Sequence, residues 1–375
     1  MSRMKLMTIV GTRPEIIRLS EIIKLADKTF THILVHTGQN YDYRLNDIFF
    51  QQLGIREPNF FLNSVGSSLG ETIGNIIAKS FDILSKEKPD ALLVLGDTNS
   101  VLCTIAAKRL KIPIFHMEAG NRCFDQNVPE EINRKISDHI SDINLTYTEH
   151  SRRYLIAEGY KNDHIFVTGS PLYEVIVRNR DSFSNSGILN TLSLERKKYF
   201  IVSIHREENI DLGNNFEELL ASLNQIAEEY KIPLIFSVHP RTRKKLNNLS
   251  IKLHKLIMLS EPFGFFEYLK LQKEALCVLS DSGTISEESA MLGFTAISLR
   301  TSTERPEAVD YGTVVLGGIK RAEILNALSI AINTECSGAD IPPHYLVENV
   351  STRVIRIIQS YTPIVNQVIW RKQKQ

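Results

Sequence analysis

Eight short segments of the sequence combine acidic, histidine or arginine side chains with glycine, serine or proline. In chain order they are GTRPE (11–15), GDT (96–98), HMEAGNR (116–122), PEEINR (129–134), HREEN (205–209), HP (239–240), DSGTISEE (281–288) and TERPE (303–307). Carboxylates in such segments can transfer protons, and cations beside a Ser-Gly turn can bind phosphate groups. The pattern therefore predicts a site for an anionic ligand.

Three carboxylates in the first half of the chain could belong to a functional site: Asp97, Glu118 and Glu130. Each also has a structural explanation. Asp97 could cap the helix that starts at Thr98, and Glu118 could form a structural ion pair. Glu130 lies in the first turn of a predicted helix, where the helix dipole favours acids, and shares a helix face with Arg134. The residues alone leave both explanations open.

Cations at predicted strand ends could bind a diphosphate. Arg13 lies in the turn after the first predicted strand, and His205 and His239 each follow a strand of the second half. Arg300 and Arg305 add two more positive charges near the same end of the sheet. A surface arginine and internally hydrogen-bonded histidines are the structural alternatives at the first three positions.

A serine and a glycine open a predicted helix in the second half. Ser282 and Gly283 would present free N–H groups to a phosphate, because the first amides of a helix have no partner within the helix. Glu288, about one turn further on, could reach a pair of ribose hydroxyls. This segment is the best-defined candidate for a nucleotide site.

Short apolar runs alternate with amphipathic segments of helical length, which predicts an α/β fold with parallel sheets. The predicted strands are 6–10, 33–35, 91–95, 112–117, 143–145 and 165–167, then 199–203, 234–237, 256–259, 276–279 and 295–298. The helical segments include 43–53 in the first half and 347–360 near the end. Polar residues 178–195 between the two series predict a surface connection. Two Rossmann-like halves are the simplest interpretation, and ligands of such sheets bind beyond the carboxyl ends of the strands.

Composition excludes several classes of protein. The 375 residues carry 44 basic and 43 acidic side chains, a balance unlike that of a basic nucleic-acid-binding protein. The longest apolar runs, such as 91–95, are far too short to span a membrane, and the N-terminal apolar run is too short for a secretory signal. Four cysteines without close pairing suggest neither disulfides nor a metal site. We therefore expect a cytoplasmic protein.

Several motifs of other enzyme classes are missing from the sequence. It has no GxGxxG or GxxxxGK[ST] after a predicted strand, no HExxH and no GxSxG. A nicotinamide enzyme, a P-loop NTPase, a zinc hydrolase and an α/β-hydrolase are accordingly disfavoured.

Taken together, the eight segments resemble the non-hydrolysing UDP-N-acetylglucosamine 2-epimerase family, whose motifs occur in the same order. The resemblance implies a GT-B-like fold with the active site in a cleft between two Rossmann-like domains. It also implies a UDP-N-acetyl sugar substrate, a homodimer, and no cofactor or metal. We predict an N-terminal domain of residues 1–172, completed by 361–375, and a C-terminal, UDP-binding domain of residues 173–360.

The resemblance assigns roles to individual residues. The predicted catalytic residues are Asp97, Glu118, Glu130 and His205. The predicted substrate-binding residues are Arg13, Arg18, Arg134, His239, Phe263, Ser282, Gly283, Thr284, Glu288, Arg300 and Arg305. Phe263 lies in the segment that matches the uracil-contacting loop of the family. Arg18 replaces the usual lysine of the family, and Thr284 replaces the second glycine of its SGG turn.

Two segments resemble one branch of the family in particular. HTGQNYDY (36–43) and DSGT (281–284) look like the branch that converts UDP-2-acetamido-2,6-dideoxy-L-talose to UDP-N-acetyl-L-fucosamine for capsules and O-antigens. The alternative is a UDP-N-acetylglucosamine 2-epimerase that makes UDP-N-acetylmannosamine. More distant alternatives are a GT-B glycosyltransferase and a non-catalytic UDP-sugar-binding protein, but the latter would not need the three carboxylates.

Overall fold

The computed structural model describes residues 3–38, 49–249, 251–334 and 341–372. The chain forms two compact units, Met1–Arg178 with Leu346–Gln375 (unit 1) and Asn179–Tyr345 (unit 2). These divisions differ from the predicted ones at 172/173 and 360/361. The difference arises because two helices near the divisions, Pro171–Arg178 and Val350–Val368, both pack on the first helix of unit 1.

The described part of unit 1 contains a seven-stranded parallel sheet with the order β3-β2-β1-β4-β5-β6-β7. Its strands are β1 (Lys5–Val10), β2 (Thr31–His36), β3 (Phe60–Phe61), β4 (Ala91–Leu95), β5 (Ile114–Met117), β6 (Ile143–Thr146) and β7 (Ile165–Val167). All five residues of β4 are buried and apolar, as expected for a central parallel strand covered by helices on both faces.

Helices of unit 1 connect and cover these strands. They are α1 (Arg13–Thr29), α2 (Leu69–Glu87), α3 (Cys103–Arg109), α4 (Pro129–Ile140), α5 (Glu149–Ala157), α6 (Pro171–Arg178) and α16 (Val350–Val368). A proline lies in the first turn of both α1 and α4, where a backbone N–H would have no partner within the helix. Single turns of 3-10 helix lie at Asn99–Leu102 and Asn162–His164.

The described part of unit 2 contains a six-stranded parallel sheet with the order β10-β9-β8-β11-β12-β13. Its strands are β8 (Phe200–Ser203), β9 (Leu234–Ser237), β10 (Ile257–Ser260), β11 (Cys277–Ser280), β12 (Ala296–Ser298) and β13 (Val315–Leu316). Its helices are α7 (Arg180–Ser184), α8 (Ile188–Thr191), α9 (Glu207–Ile210), α10 (Asn215–Tyr230), α11 (Pro240–Asn247), α12 (Phe265–Glu274), α13 (Ile285–Leu292), α14 (Pro306–Asp310) and α15 (Arg321–Asn333), with a 3-10 turn at Pro343–Tyr345. The α/β class with two parallel Rossmann-like sheets is thus confirmed.

Some predicted elements were wrong or incomplete. The segment 178–195 is not a featureless connection, because it contains α7 and α8, buries Phe183 and packs Ile188 and Leu192 against the core of unit 2. The last helix does not end before Pro363 but continues to Val368. The two-residue strands β3 and β13 were not predicted, and most of the predicted helix 43–53 lies outside the described residues.

Each sheet has one position where the strand order reverses, the usual ligand site of such folds. In unit 1 this point lies between β1 and β4, and in unit 2 between β8 and β11. The segments that follow these four strands are GTRPE, GDT, HREEN and DSGT. The topology therefore places four of the eight segments at the two switch points. None of the helices among the described residues is both long and apolar enough to cross a membrane.

Candidate active site

Asp97 follows β4 at the switch point of unit 1 and is held by helix α4. Its carboxylate pairs with the guanidinium of Arg134, and its backbone carbonyl accepts a 3.0 Å hydrogen bond from Asn133 Nδ2. Asn133 also donates to Asn99 Oδ1 at 3.1 Å, so α4 is fixed to the loop that carries Asp97. The side chain of Asp97 remains 20% exposed. A carboxylate beside an arginine and open to solvent can exchange a proton with a substrate.

Arg134 links Asp97 to a second acid. Its Nη1 lies 2.6 Å from Oε2 of Glu131, a carboxylate that is almost completely buried. Glu131 also accepts the backbone N–H of Cys123 at 3.2 Å. Glu130, the predicted catalytic acid, is the neighbouring residue in the first turn of α4 and is half-buried. The helix that carries Glu130 is therefore held against the Asp97 loop by Asn133 and Arg134.

Glu118 follows β5 and forms a buried cluster with Arg18 and Tyr147. The Tyr147 hydroxyl donates to Glu118 Oε2 at 3.2 Å and accepts from Arg18 Nη1 at 3.2 Å. Arg18 Nη1 itself lies 3.6 Å from Glu118 Oε2. A Cβ atom built on Gly96 would lie 3.9 Å from the same oxygen, so this carboxylate is close to the residue before Asp97. The structure thus brings Glu118 into the neighbourhood of Asp97.

The backbone of Glu118 has φ +65°, a left-handed conformation that is unusual for a residue with a side chain. Such conformations are costly and occur often at functional sites. Tyr147, the residue directly after β6, was missed by sequence reasoning. Its position immediately beyond a strand was the available signal.

A buried histidine lies beneath the Asp97 loop. Nε2 of His116 is 2.7 Å from the carbonyl oxygen of Gly96, and Nδ1 is 2.9 Å from Asp138 Oδ1. Asp138 also accepts from Arg122 Nη1 at 2.7 Å. Burial by itself would raise the pKa of Asp138, but the hydrogen bonds and charges of His116 and Arg122 outweigh it and lower that pKa. His116 was not predicted as a site residue.

Arg13, the predicted anion-binding residue of unit 1, opens α1 in the turn after β1. Its guanidinium lies 5.5 Å from the ring centroid of Phe49, within cation–π range. Arg13 therefore lies at the switch point of unit 1, because β1, which precedes its turn, pairs with β4, which precedes the Asp97 loop.

His205 follows β8 at the switch point of unit 2 and is oriented by Asp281, which follows β11. Nδ1 of His205 is 2.9 Å from Asp281 Oδ1, which directs Nε2 away from Asp281. The buried Asp281 carboxylate also accepts the backbone N–H groups of His205 and Arg206 and the amide of Asn209. Burial alone would raise the pKa of Asp281, but the charge and hydrogen bond of His205 and these N–H donors lower it. Asp281 was quoted in a motif but not predicted as a site residue.

The Ser-Gly turn after β11 opens helix α13. Ser282 Oγ and Thr284 Oγ1 are 3.0 Å apart, and Thr284 is the residue before the first helical residue. A Cβ atom on Gly283 would lie only 2.4 Å from Glu304 Oε1, so a side chain does not fit there without displacing that carboxylate. Within the turn, the backbone N–H of Ser282 donates to Ser280 Oγ at 3.1 Å and that of Thr284 to Ser282 Oγ at 3.4 Å.

Two ion-pair clusters support this turn. Glu304 pairs with Arg300 at 2.5 Å and with Arg206 at 3.3 Å. Arg305 pairs with the buried Glu287 of α13 at 2.8 Å. The structure thus places the predicted cations Arg300 and Arg305 at the carboxyl edge of the unit 2 sheet, each already paired with an acid.

The remaining predicted residues also lie in unit 2. Glu288 on α13 accepts from Gln272 Nε2 at 2.6 Å and is almost fully buried. His239 is exposed after β9. Phe263 is half-buried and packs against the core on one face of the sheet. In the ranges that the structure describes, no three His, Cys, Asp or Glu side chains group closely enough to hold a metal ion.

Comparison with known proteins identifies the family. A family model described as UDP-N-acetylglucosamine 2-epimerase matches residues 24–359. The chain belongs to the UDP-N-acetylglucosamine 2-epimerase family. It is therefore an enzyme of the isomerase class, as the sequence predicted.

Three relatives show how closely the chain follows this family. The structure of UDP-N-acetylglucosamine 2-epimerase from Rickettsia bellii is 49% identical and superposes with a TM-score of 0.93 over 99% of this chain and 100% of that one. The Methanocaldococcus jannaschii UDP-GlcNAc 2-epimerase, crystallised in complex with UDP-GlcNAc and UDP, is 36% identical, with a TM-score of 0.89 over 95% and 100%. The UDP-2,3-diacetamido-2,3-dideoxy-D-glucuronate 2-epimerase of Pseudomonas aeruginosa is 34% identical over 86% of this chain and 91% of its own.

The GT-B-like fold is supported by a more distant likeness. A trehalose 6-phosphate synthase from Burkholderia multivorans superposes with a TM-score of 0.60 at 11% identity over the full length of both chains. At this identity the likeness concerns the fold alone. It confirms the predicted GT-B-like class.

Proposed function

We propose that the enzyme inverts C2 of a UDP-N-acetylhexosamine by eliminating UDP and adding it back. The observation that carries this proposal is the chemical contrast between the two switch points. Unit 1 has Asp97 at its switch point and Glu118 after the neighbouring strand β5, whereas unit 2 has His205 and the Ser282-Gly283 turn. One set suits proton transfer and positive charge on a sugar, and the other suits a diphosphate.

The chemistry explains why both sets are needed. The C2 proton of the sugar is not acidic, because C2 has no adjacent carbonyl group. As the bond between C1 and the UDP oxygen breaks, its electron pair leaves with UDP and C1 becomes positively charged. The C2–H bond is then acidic, a carboxylate takes the proton, and a double bond forms between C1 and C2. Protonation of this 2-acetamidoglycal on the opposite face and return of the UDP oxygen to C1 complete the inversion.

The residues of unit 1 fit the proton-transfer half of this sequence. We assign Asp97 as one proton-transfer group, since its carboxylate is partly exposed at the switch point and is held in place by Arg134. A second acid–base group is required for the opposite face, and Glu118 and Glu130 are the candidates. The Tyr147 hydroxyl donates to Glu118 and so orients its carboxylate.

The residues of unit 2 fit the leaving-group half. His205, oriented by Asp281, and the Ser282-Gly283 turn can stabilise negative charge on the departing diphosphate. Arg305, which Glu287 holds at 2.8 Å, is a further candidate to bind the diphosphate. Glu288 is assigned to the ribose hydroxyls and Phe263 to the uracil side of the nucleotide. The crystal structure of the M. jannaschii relative with UDP-GlcNAc and UDP supports this class of substrate.

For the sugar, we propose UDP-2-acetamido-2,6-dideoxy-L-talose, with UDP-N-acetyl-L-fucosamine as the product. This rests on the segments 36–43 and 281–284, although 39–43 lie outside the described residues. The second candidate is UDP-N-acetylglucosamine, favoured by the names of the R. bellii and M. jannaschii relatives. Either product is an activated sugar donor, which we propose is consumed by glycosyl transfer into capsule or O-antigen polysaccharides.

Product analysis tests both parts of the proposal. The pure enzyme is incubated separately with the two UDP-sugars, and C1 and C2 are followed by NMR. We expect a C2 epimer still attached to UDP, formed with the higher kcat/KM from the 6-deoxy-L-talo substrate. Release of free sugar and UDP would indicate a hydrolysing enzyme, and no turnover of either sugar would reject the proposal. A higher kcat/KM with UDP-N-acetylglucosamine would reject only the assignment of the sugar.

A further inference from the structure

A buried glutamate connects the turn after β1 with the loop after β4. Glu15 is the third residue of α1, and its Oε2 accepts the backbone N–H of Gly11 at 2.6 Å while Oε1 accepts from Thr12 Oγ1 at 3.0 Å. It also accepts from two hydroxyls that are more than 80 residues away in sequence. These are Thr98 Oγ1 at 2.5 Å and Ser100 Oγ at 3.0 Å.

We propose that Glu15 is a positioning residue that fixes the Asp97 loop relative to the turn carrying Arg13. Thr98 directly follows Asp97, so its hydroxyl fixes the backbone on one side of the proposed catalytic acid. On the other side, the carbonyl of Gly96 is held by His116. Glu15 thus adds to the contacts that His116, Asn133 and Arg134 make with the Asp97 loop, and it also binds the β1–α1 turn.

The charge of Glu15 is costly for folding, which favours a functional role. Its side chain is almost completely buried, and its four donors are one backbone N–H and three hydroxyls, all neutral. Burial raises the pKa of Glu15 from 4.5 to about 7, although the hydrogen bonds of Thr98, Gly11, Ser100 and Thr12 oppose this shift. A glutamine of the same shape could accept from Gly11 and donate to the Thr98 hydroxyl, so folding alone does not require a carboxylate.

A glutamine at this position would reverse part of the network. Because Gly11 N–H can only donate, the amide oxygen must face it, and the amide NH₂ must then face Thr12 and Thr98. The Thr98 hydroxyl would accept instead of donating. The carboxylate can therefore accept from the β1–α1 turn and from the Thr98 hydroxyl at the same time, which the amide of glutamine cannot do.

The test compares Glu15→Gln with a matched control, Glu174→Gln. Glu174 is a buried carboxylate of the same unit that accepts from Ser351 N and Oγ at 2.7 and 2.6 Å, and it holds α16. Thr98→Val removes the contact from its other end, while Thr98→Ser keeps the hydroxyl. For each variant we measure backbone hydrogen exchange in the peptide 96–102, the kcat for C2 epimerisation, and the Kd for UDP.

The expected result is the same for Glu15→Gln and Thr98→Val. Exchange in peptide 96–102 becomes faster and kcat falls by about tenfold or more, while the Kd for UDP changes less than kcat does, because His205, Ser282 and Glu288, which are assigned to UDP, lie in unit 2. The kcat of the double variant lies within about twofold of the kcat of each single variant, because both substitutions remove the same contact between Glu15 and Thr98. Thr98→Ser restores kcat, and Glu174→Gln leaves the exchange of this peptide and kcat unchanged.

The kinetic half of this test rests on the proposed function, but the exchange half does not. Unchanged exchange in Glu15→Gln overturns the proposal whatever the enzyme catalyses. Faster exchange with wild-type kcat also overturns it, because the loop would then move without affecting Asp97. If the wild type epimerises neither UDP-sugar, the proposed function fails, and hydrogen exchange in peptide 96–102 still decides whether Glu15 fixes this loop.

Discussion

Replacing Asp97 by asparagine separates catalysis from folding. Asparagine has nearly the same size but cannot take up the C2 proton. General acid–base catalysis typically contributes 10²–10⁴-fold, so kcat should fall at least about 100-fold, which corresponds to roughly 2.7 kcal/mol of barrier height. The Kd for UDP should change little, because the diphosphate groups are assigned to unit 2.

The ion-pair geometry predicts a small cost for folding in the same variant. Arg134 loses Asp97 but keeps Glu131 at 2.6 Å. Since Asp97 is 20% exposed, loss of its pair with Arg134 should cost at most about 1 kcal/mol of unfolding free energy. Arg134→Met is the contrasting variant. It leaves the Glu131 carboxylate, 1% exposed, with the more distant Lys135 at 3.7 Å, and should cost about 3 kcal/mol.

Three measurements on these two variants test the role of Asp97 in proton transfer and the structural role of Arg134. Epimerisation is followed by NMR under saturating substrate, UDP binding by calorimetry, and stability by thermal unfolding. We expect Asp97→Asn to melt close to the wild type with a strongly reduced kcat, and Arg134→Met to melt well below it. A near-normal kcat in Asp97→Asn would remove Asp97 from proton transfer. Arg134→Met melting with the wild type would show that the Glu131–Arg134–Asp97 chain is not a structural unit.

Three further predictions concern the supporting residues. The folded pKa of Glu15, about 7, exceeds its ordinary value of 4.5, so its neutral form stabilises the protein fully below pH 4.5 and this contribution is lost as the pH rises through 7. The wild type should therefore lose roughly 3 kcal/mol of unfolding free energy between pH 4.5 and 8, and Glu15→Gln should not. Urea unfolding at several pH values measures this difference, and the same pH dependence in both proteins would contradict the burial argument. Gly283→Ala should weaken UDP binding at least about tenfold, because the new Cβ displaces Glu304, 2.4 Å away; unchanged calorimetric affinity would show that the turn adapts. Asp281→Asn should also weaken UDP binding about tenfold by releasing His205 Nδ1, with retained affinity as the contrary result.

The rule that ligands bind beyond strand carboxyl ends accounts for much of what could be predicted. Asp97, Glu118, His205 and Ser282 were selected because each follows an apolar run, and the strand orders place three of them at switch points. The apolar runs themselves were easy to recognise, since central parallel strands are buried on both faces. Local sequence was therefore sufficient to predict which residues lie at the edges of the sheets.

Contacts between residues distant in sequence could not be predicted in this way. Glu15 was part of a quoted motif, but its partners Thr98 and Ser100 are more than 80 residues away. His116 on β5 contacts Gly96 in the loop after β4, and Asp281 after β11 contacts His205 after β8. Only the strand order brings these pairs together. Periodicity alone gives no such pairing.

Irregular segments were predicted least well, for physical reasons that the structure makes visible. Residues 178–195 are polar on average, yet Phe183 and Leu192 provide enough apolar surface to pack two short helices on unit 2. Pro363 does not end the last helix, because that helix is anchored on α1 and α6, and tertiary packing outweighs the lost hydrogen bond. Strands of two residues, such as β3, are too short to show any pattern.

The central claim is that the C2 proton leaves the sugar while UDP is detached from C1. Turnover in D₂O, followed by NMR at C2, tests this directly. The elimination mechanism predicts deuterium at C2 of the product and, as the reaction reverses, at C2 of the recovered substrate as well. Epimerised product that still carries its original C2 hydrogen would rule this mechanism out.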